Sequence, residues 1–266
     1  VLTMKDLLIS LGSKVELTKE KKIIKITNTK KHKLIVPYNL VSTMRAGVLT
    51  MGPLLARYPK SKIRVALGGG CALGIRDTSW HLSGFKSLGA DNTLNRGYVN
   101  IYSRNGLKGN IFKFPKVTVT GSSNLIMASV LISGEHIIKN ISIEPEVKDL
   151  IKFLNNSGAQ IKFIGKRSVK IQGVNELVNG DHTIIGDRIE AFSYLCVAAI
   201  TNGRIKVKKI NPKLKILLVT ILTSISNKSI KNIGHTKSIS ELVKKQAKMA
   251  TACKCHGIVC AGSDLK

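Results

Sequence analysis

An amphipathic helix that ends in glycine and runs straight into a strand occurs three times in this chain. That repetition constrains the fold more than any other feature. The copies span 7–15, 84–91 and 150–161, and they are closed by Gly12, Gly89 and Gly158. Each glycine stands where a helix C-terminus calls for a left-handed residue. Polar and apolar residues alternate in 22–27, 98–102 and 169–172, which reads as strand. A second pattern interleaves with the first: an apolar helix rich in small residues, a short turn and a strand. Its copies are 42–58 with 62–65, 122–133 with 136–141, and 187–201 with 204–210. Alternating the two patterns gives units of strand, helix, strand, helix, strand, strand. Such a unit buries its helices only against neighbouring units. The Ala, Gly, Ser and Met of the second helix type permit close packing, so those helices are expected to be buried and the first type half exposed. Beyond Ile210 the repeat blurs. The basic stretch 227–266 carries no clear unit and reads as a frayed tail, a remnant or a linker.

The 266 residues suffice for one or two domains with a buried core. A hydrophobic share of 43% separates the chain from disordered sequences. No apolar run approaches the roughly 18 residues that span a bilayer, so no membrane insertion is expected. The longest run, around 216–222, is interrupted by Thr220. Residues 1–12 lack the pattern of a signal peptide. Five cysteines without framework spacing suit a reducing compartment, so the expected location is the cytoplasm. The formal charge of +28 admits three readings: a polyanionic partner, a site for highly charged small phosphates, or the lysine drift of an AT-rich coding sequence. Aromatic interleaving and a recognition-helix motif are both absent from the sequence, so no nucleic-acid partner is expected. A nucleic-acid module would bind with an affinity that falls steeply with salt.

The densest chemical signal is Leu67-Gly68-Gly69-Gly70-Cys71-Ala72-Leu73-Gly74-Ile75-Arg76. Three consecutive glycines allow backbone conformations that other residues avoid, or close approach to a ligand. Cations near a thiol favour the thiolate, and Arg76 and His81 follow Cys71 closely. Spacing alone leaves open a reactive thiol on a mobile loop or a buried cysteine in a glycine-rich turn. The run is not a nucleotide P-loop, because the Lys-Ser/Thr ending is missing. Cys253-Lys254-Cys255-His256 with Cys260 lacks the two-residue gap usual between zinc-ligating cysteines, so no metal is expected.

Three segments carry a resemblance: Pro37-Tyr38-Asn39-Leu40-Val41-Ser42-Thr43-Met44-Arg45-Ala46, Met51-Gly52-Pro53-Leu54-Leu55-Ala56-Arg57, and Gly69-Gly70-Cys71-Ala72-Leu73-Gly74-Ile75-Arg76. Downstream come Leu88-Gly89-Ala90, Gly97-Tyr98, Leu107-Lys108-Gly109, Val117-Thr118-Val119, Asn124-Leu125-Ile126-Met127-Ala128, Glu144-Pro145-Glu146 and Asp187-Arg188-Ile189-Glu190-Ala191. In order and in letters these resemble the enolpyruvyl transferases that act on UDP-N-acetylglucosamine, the UDP-N-acetylglucosamine 1-carboxyvinyltransferase family. The resemblance runs from the N-terminus to about Pro212.

The resemblance implies an EPSP synthase-like fold: an inside-out α/β prism of two domains, each of three βαβαββ units. It implies transfer of the enolpyruvyl group of phosphoenolpyruvate to the sugar 3′-hydroxyl, a step of peptidoglycan precursor and cell-wall synthesis, without a cofactor. Cys71 stands at the family's acid position, and Arg45 and Arg76 at basic positions beside the substrates. Asp77-Thr78-Ser79-Trp80 occupies the place of the family's Pro-Val-Asp-Leu. The stiffening proline is gone, Asp77 brings negative charge near an anionic ligand, and Trp80 is placed to stack on or pack beside uracil. Lys116, Val117, Thr118 and Val119 match a second stretch that holds the diphosphate and uridine, with Thr118 where Ser is common. His81 is expected to cap or pack near the loop. Residues 1–184 are expected to form the first transferase domain with the catalytic loop, 185–226 part of a second, and 227–266 an unassigned basic tail. The family's early Lys-Asn pair, its Phe-Pro-Thr-Asp-like segment and a later arginine have no counterpart, so the chain is expected to be truncated at both ends. An inactive remnant that at most binds the UDP-sugar is therefore the alternative to an active enzyme. A monomer is expected. The sister enzyme acting on shikimate phosphate shares the fold, but its family lacks this cysteine loop.

Overall fold

The computed structural model describes residues 2–18, 23–28, 31–42, 44–67, 77–200, 217–221, 225–232, 234, 236–252 and 255–261. The chain divides into two compact units, Val1–Ile184 and Ile185–Lys266.

The first unit opens with helix α1 (Leu2–Ser10) and the hairpin β1 (Lys14–Thr18) and β2 (Ile23–Thr27). Next come β3 (Ile35–Val36), α2 (Tyr38–Val41), a 3-10 helix (Arg45–Thr50), α3 (Met51–Arg57), β4 (Ile63–Ala66), α4 (Ser79–Ser87), β5 (Asp91–Asn95) and β6 (Tyr98–Tyr102). The series repeats as β7 (Ile111–Lys113), α5 (Val119–Ser129), β8 (Glu135–Lys139), α6 (Pro145–Asn156), β9 (Gln160–Gly165) and β10 (Ser168–Gln172). Two four-stranded sheets result, with orders β3-β4-β6-β5 and β7-β8-β10-β9. Their pairing is the same: the first strand runs parallel to the second, and every other neighbour is antiparallel. The βαβαββ unit read from the sequence is therefore present twice in full, and α1–β1–β2 repeats its αββ half.

Helix α5 packs against α3, α4, α6 and the 3-10 helix. Seven of its side positions, from Gly121 to Ser129, are buried. Inward-facing Ile63, Val65, Val99 and Ile101 of the first sheet, and Ile138, Val169 and Ile171 of the second, line the same core. Burying these aliphatic chains contributes about 1.5–3 kcal/mol each relative to exposure.

The three glycine stops form one motif. Gly12, Gly89 and Gly158 have φ of 105°, 92° and 93°. In each, the glycine N–H donates three residues back and the following N–H five residues back, as in Gly89 to Lys86 (2.9 Å) and Ala90 to Phe85 (3.0 Å). That is the Schellman closure, which satisfies carbonyls the helix leaves open.

Three expectations need correction. Residues 42–58 do not form one helix; a 3-10 segment precedes α3. Pro53 has no N–H to donate, so an α-helix can carry it only in its first turn, and α3 starts two residues earlier at Met51. The helix expected over 122–133 begins earlier, at Val119, because Thr118 caps it. Helix α7 (Arg188–Ile200), expected to be buried, exposes Ile189 (65%), Tyr194 (55%) and Val197 (57%). It has the small-residue composition for close packing, but no described element covers that face.

Within the second unit, β11 (Leu217–Val219) runs parallel to β12 (Gly257–Val259), and α8 (Asn227–Asn232) and α9 (Ile239–Ala252) lie between them in sequence. Ser238 and Glu241 form a capping box at the start of α9. The Ser238 N–H donates to Glu241 Oε2 (2.8 Å), and Ser238 Oγ accepts from the Glu241 N–H (3.3 Å). No described helix is long and apolar enough to cross a membrane.

Candidate active site

Cys71 and Arg76, with the glycines around them, lie outside the described residues. The structure places the other candidates on three segments of the first unit. Arg45 is exposed at the first position of the 3-10 helix. Asp77 and Thr78 lead into α4, whose first residues are Ser79 and Trp80. Lys116 and Val117 are exposed ahead of α5, Thr118 is its N-cap and Val119 its first residue.

Local chemistry explains both helix starts. The Asp77 carboxylate accepts the Ser79 N–H at 2.8 Å, and the hydroxyl and amide of Ser79 hold its pKa below the usual carboxylate value. Asp77 thus turns its charge toward the positive end of its own helix. Thr118 Oγ1 accepts the Gly121 N–H at 3.2 Å, so the hydroxyl expected to meet substrate already serves the helix. Gly121 is required here, because an added Cβ would run into the Thr118 methyl. Trp80 is half-buried and packs against the hydrophobic core.

The starts of α4 and α5 are brought together by His81, which is 4% exposed. Its Nε2 lies 3.2 Å from Thr120 Oγ1 and its Nδ1 lies 3.0 Å from Asn124 Nδ2. Asn124 also accepts the Gly52 N–H on Oδ1 (2.7 Å) and donates from Nδ2 to the Val48 carbonyl (2.8 Å). A backbone N–H can only donate, so the Gly52 bond identifies the amide oxygen of Asn124. Its amide nitrogen then donates to His81, which leaves Nδ1 bare and puts the proton on Nε2, toward Thr120. Helix N-termini favour anions, and two of them, α4 and α5, meet here with Arg45 and Lys116 carried by the same assembly. The arrangement suits binding of a phosphorylated ligand.

Burial lowers the His81 pKa from 6.5 to about 4, with Asp77 opposing that shift. The unfolded chain therefore takes up a proton between these values that the folded one refuses. Stability attributable to His81 is complete above pH 6.5 and is lost as pH falls toward 4, a loss on the order of 3 kcal/mol. Urea unfolding of wild type and His81→Phe at pH 7 and pH 4 should show the wild type losing that much more than the variant. Parallel losses would place the titration elsewhere.

Sequence reading missed Asn124 and Thr120 as members of this cluster. The available signal was a lone amide in the otherwise apolar stretch Asn124-Leu125-Ile126-Met127-Ala128.

Two βαβαββ units with the same strand pairing define a protein of the EPSP synthase-like α/β fold. The chain belongs to the EPSP synthase (3-phosphoshikimate 1-carboxyvinyltransferase) family, whose sequence model matches residues 1–259. Among curated proteins it is 46% identical over 226 residues to the UDP-N-acetylglucosamine 1-carboxyvinyltransferase of Pelagibacter ubique, covering 85% of this chain and 53% of that protein. It is 41% identical over 213 residues to the enzyme of the same name from Coxiella burnetii, covering 80% of this chain and 48% of that one. The chain thus spans about half the length of the curated relatives it matches. Among solved structures, the enolpyruvyl transferase NikO from Streptomyces tendae superposes with a TM-score of 0.61 at 18% identity, over 74% of this chain and 46% of that one. An EPSP synthase from Acinetobacter baumannii gives 0.56 at 18% identity, over 75% of this chain and 44% of its own. At that identity these two establish the fold alone.

Proposed function

We propose that this chain takes part in moving the enolpyruvyl group of phosphoenolpyruvate onto the 3′-hydroxyl of UDP-N-acetylglucosamine, in the cytoplasm, for peptidoglycan synthesis. The observation that carries this reading is the 46% identity to a relative bearing that enzyme's name, against 18% to an EPSP synthase structure. The site geometry agrees, since two helix N-termini and exposed basic residues suit a diphosphate. Val1–Ile184 then acts as the first transferase domain, bearing Cys71, and the later residues contribute part of a second.

The chemistry asks for little more than position and one acid. Cys71 protonates C3 of phosphoenolpyruvate as C2 becomes cationic, and the sugar hydroxyl adds to C2 while releasing its proton to solvent. Loss of the C3 proton and of inorganic phosphate then leaves the enolpyruvyl ether. Arg45 and Arg76 hold phosphate and carboxylate groups through their planar forks. Asp77, Thr78, Ser79 and Trp80 contact the nucleotide from the start of α4, and Lys116, Val117, Thr118 and Val119 from the start of α5. A second reading, favoured by two described helix N-termini that suit a diphosphate by themselves, is a chain that binds the UDP-sugar without turnover.

A coupled phosphate-release assay tests the proposal. Release that requires both UDP-N-acetylglucosamine and phosphoenolpyruvate supports it. Binding of the nucleotide sugar without release supports the second reading. Release with shikimate 3-phosphate in place of the sugar contradicts both.

A further inference from the structure

Asn124 is fully buried in the middle of helix α5, and its amide oxygen and both hydrogens of its amide nitrogen are engaged. Burying an amide among aliphatic side chains is unfavourable unless its bonds are made, so a lone Asn here needs a reason beyond packing. Its three partners lie on three different segments: Val48 on the 3-10 helix, Gly52 at the start of α3 and His81 on α4. The first of these segments begins with Arg45, the last begins with Ser79 and Trp80, and α5 itself begins with Val119 after Thr118. One side chain therefore joins every described segment that bears a candidate ligand-binding residue.

We propose that Asn124 is the positioning residue of the nucleotide-sugar site, acting through His81 on α4, through Val48 on the 3-10 helix that begins with Arg45, and through Gly52 on the α3 that follows it. This rests on the reading of that site as one for UDP-N-acetylglucosamine. Asn124 does not touch ligand. It sets the separation of the two helix N-termini and of Arg45, and the chain Asn124–His81–Thr120 locks the imidazole in its Nε2–H form.

Asn124→Asp keeps the size and the acceptor for Gly52 but exchanges the donating nitrogen for an oxygen. The Val48 carbonyl then meets an acceptor, and His81 Nδ1 can satisfy the carboxylate only by taking a proton. His81→Phe keeps a planar aromatic ring, somewhat larger than imidazole, and cuts the α4 link alone. Ser122→Ala, on the same helix, removes a buried bond to the Ser142 N–H (2.9 Å) and serves as the stability control.

The test is imidazole nitrogen NMR together with calorimetric binding of UDP-N-acetylglucosamine. Wild type should show a bare Nδ1 and a protonated Nε2 at pH 7, and Asn124→Asp should protonate both. Binding should weaken at least about tenfold in Asn124→Asp and about threefold or more in His81→Phe, and stay within about twofold in Ser122→Ala. If Asn124→Asp proves unfolded, the His81→Phe and Ser122→Ala pair decides alone. Binding unchanged in His81→Phe, or equally reduced in Ser122→Ala, would overturn the positioning role and leave the functional reading intact. No binding by the wild type would overturn the functional reading itself, and this role with it.

Discussion

Replacing Gly52 by alanine is expected to destabilise the first unit by about 4 kcal/mol or more, lowering its melting temperature by roughly 8–16 °C. At Gly52, α3 packs directly against the backbone of α5. A Cβ there would collide with the Asn124 carbonyl oxygen and stand 2.6 Å from Asn124 Oδ1. The obstacle is helix backbone, which cannot swing aside as a side chain can. Relief requires α3 to move away, which breaks the Gly52 N–H bond to Asn124 (2.7 Å) and leaves a buried amide oxygen unsatisfied. Gly165→Ala provides the contrast, because its nearest new neighbour would be Ser168 Cβ at 3.9 Å, an ordinary contact. Thermal unfolding of the two variants should separate clearly. Equal melting temperatures would mean that α3 and α5 are not held at this distance.

Cys71→Ala should lower phosphate release from the two substrates by about 10²–10⁴-fold. The acid's role is to supply the C3 proton at the moment C2 takes up cationic character, and alanine has no proton to give. Water is a poor substitute, since it is neither positioned nor matched in acidity. Cys71→Asp restores an acid of similar reach and should recover part of the rate, with a pH profile moved toward acid, since a carboxyl titrates below a thiol. A Cys71→Ala protein that keeps more than about a tenth of the wild-type rate would exclude this residue as the acid.

Much of the first unit was legible because its signals are local. Gly12, Gly89 and Gly158 announce their helix ends because only glycine adopts the left-handed closure at little cost. Strands β2, β6 and β10 follow from alternation over five residues each. The hub at Asn124 was not legible, because its partners lie 72, 76 and 43 residues away in sequence. No window of periodicity reports such a meeting. Thr118 was read as a ligand contact, and its hydroxyl also caps α5, a structural duty that the family motif does not announce. Helix α9 lies in a region read as a frayed tail, a remnant or a linker, although Ser238 and Glu241 spell a capping box. Exposure of α7 was hidden for a different reason: its composition describes the packing it suits, not the neighbour that provides it.

The central claim is that this chain holds a nucleotide sugar through its basic groups, while Cys71 serves the chemistry. Calorimetric titration of UDP-N-acetylglucosamine into wild type, Cys71→Ala and Arg76→Ala tests it most directly. The account predicts binding by the wild type and almost the same affinity in Cys71→Ala, since a thiol adds little to a diphosphate's grip. It predicts a loss of about 1.5–3 kcal/mol in Arg76→Ala, the range of a charge-assisted hydrogen bond. Absent wild-type binding, equal losses in both variants, or no loss in Arg76→Ala would contradict it.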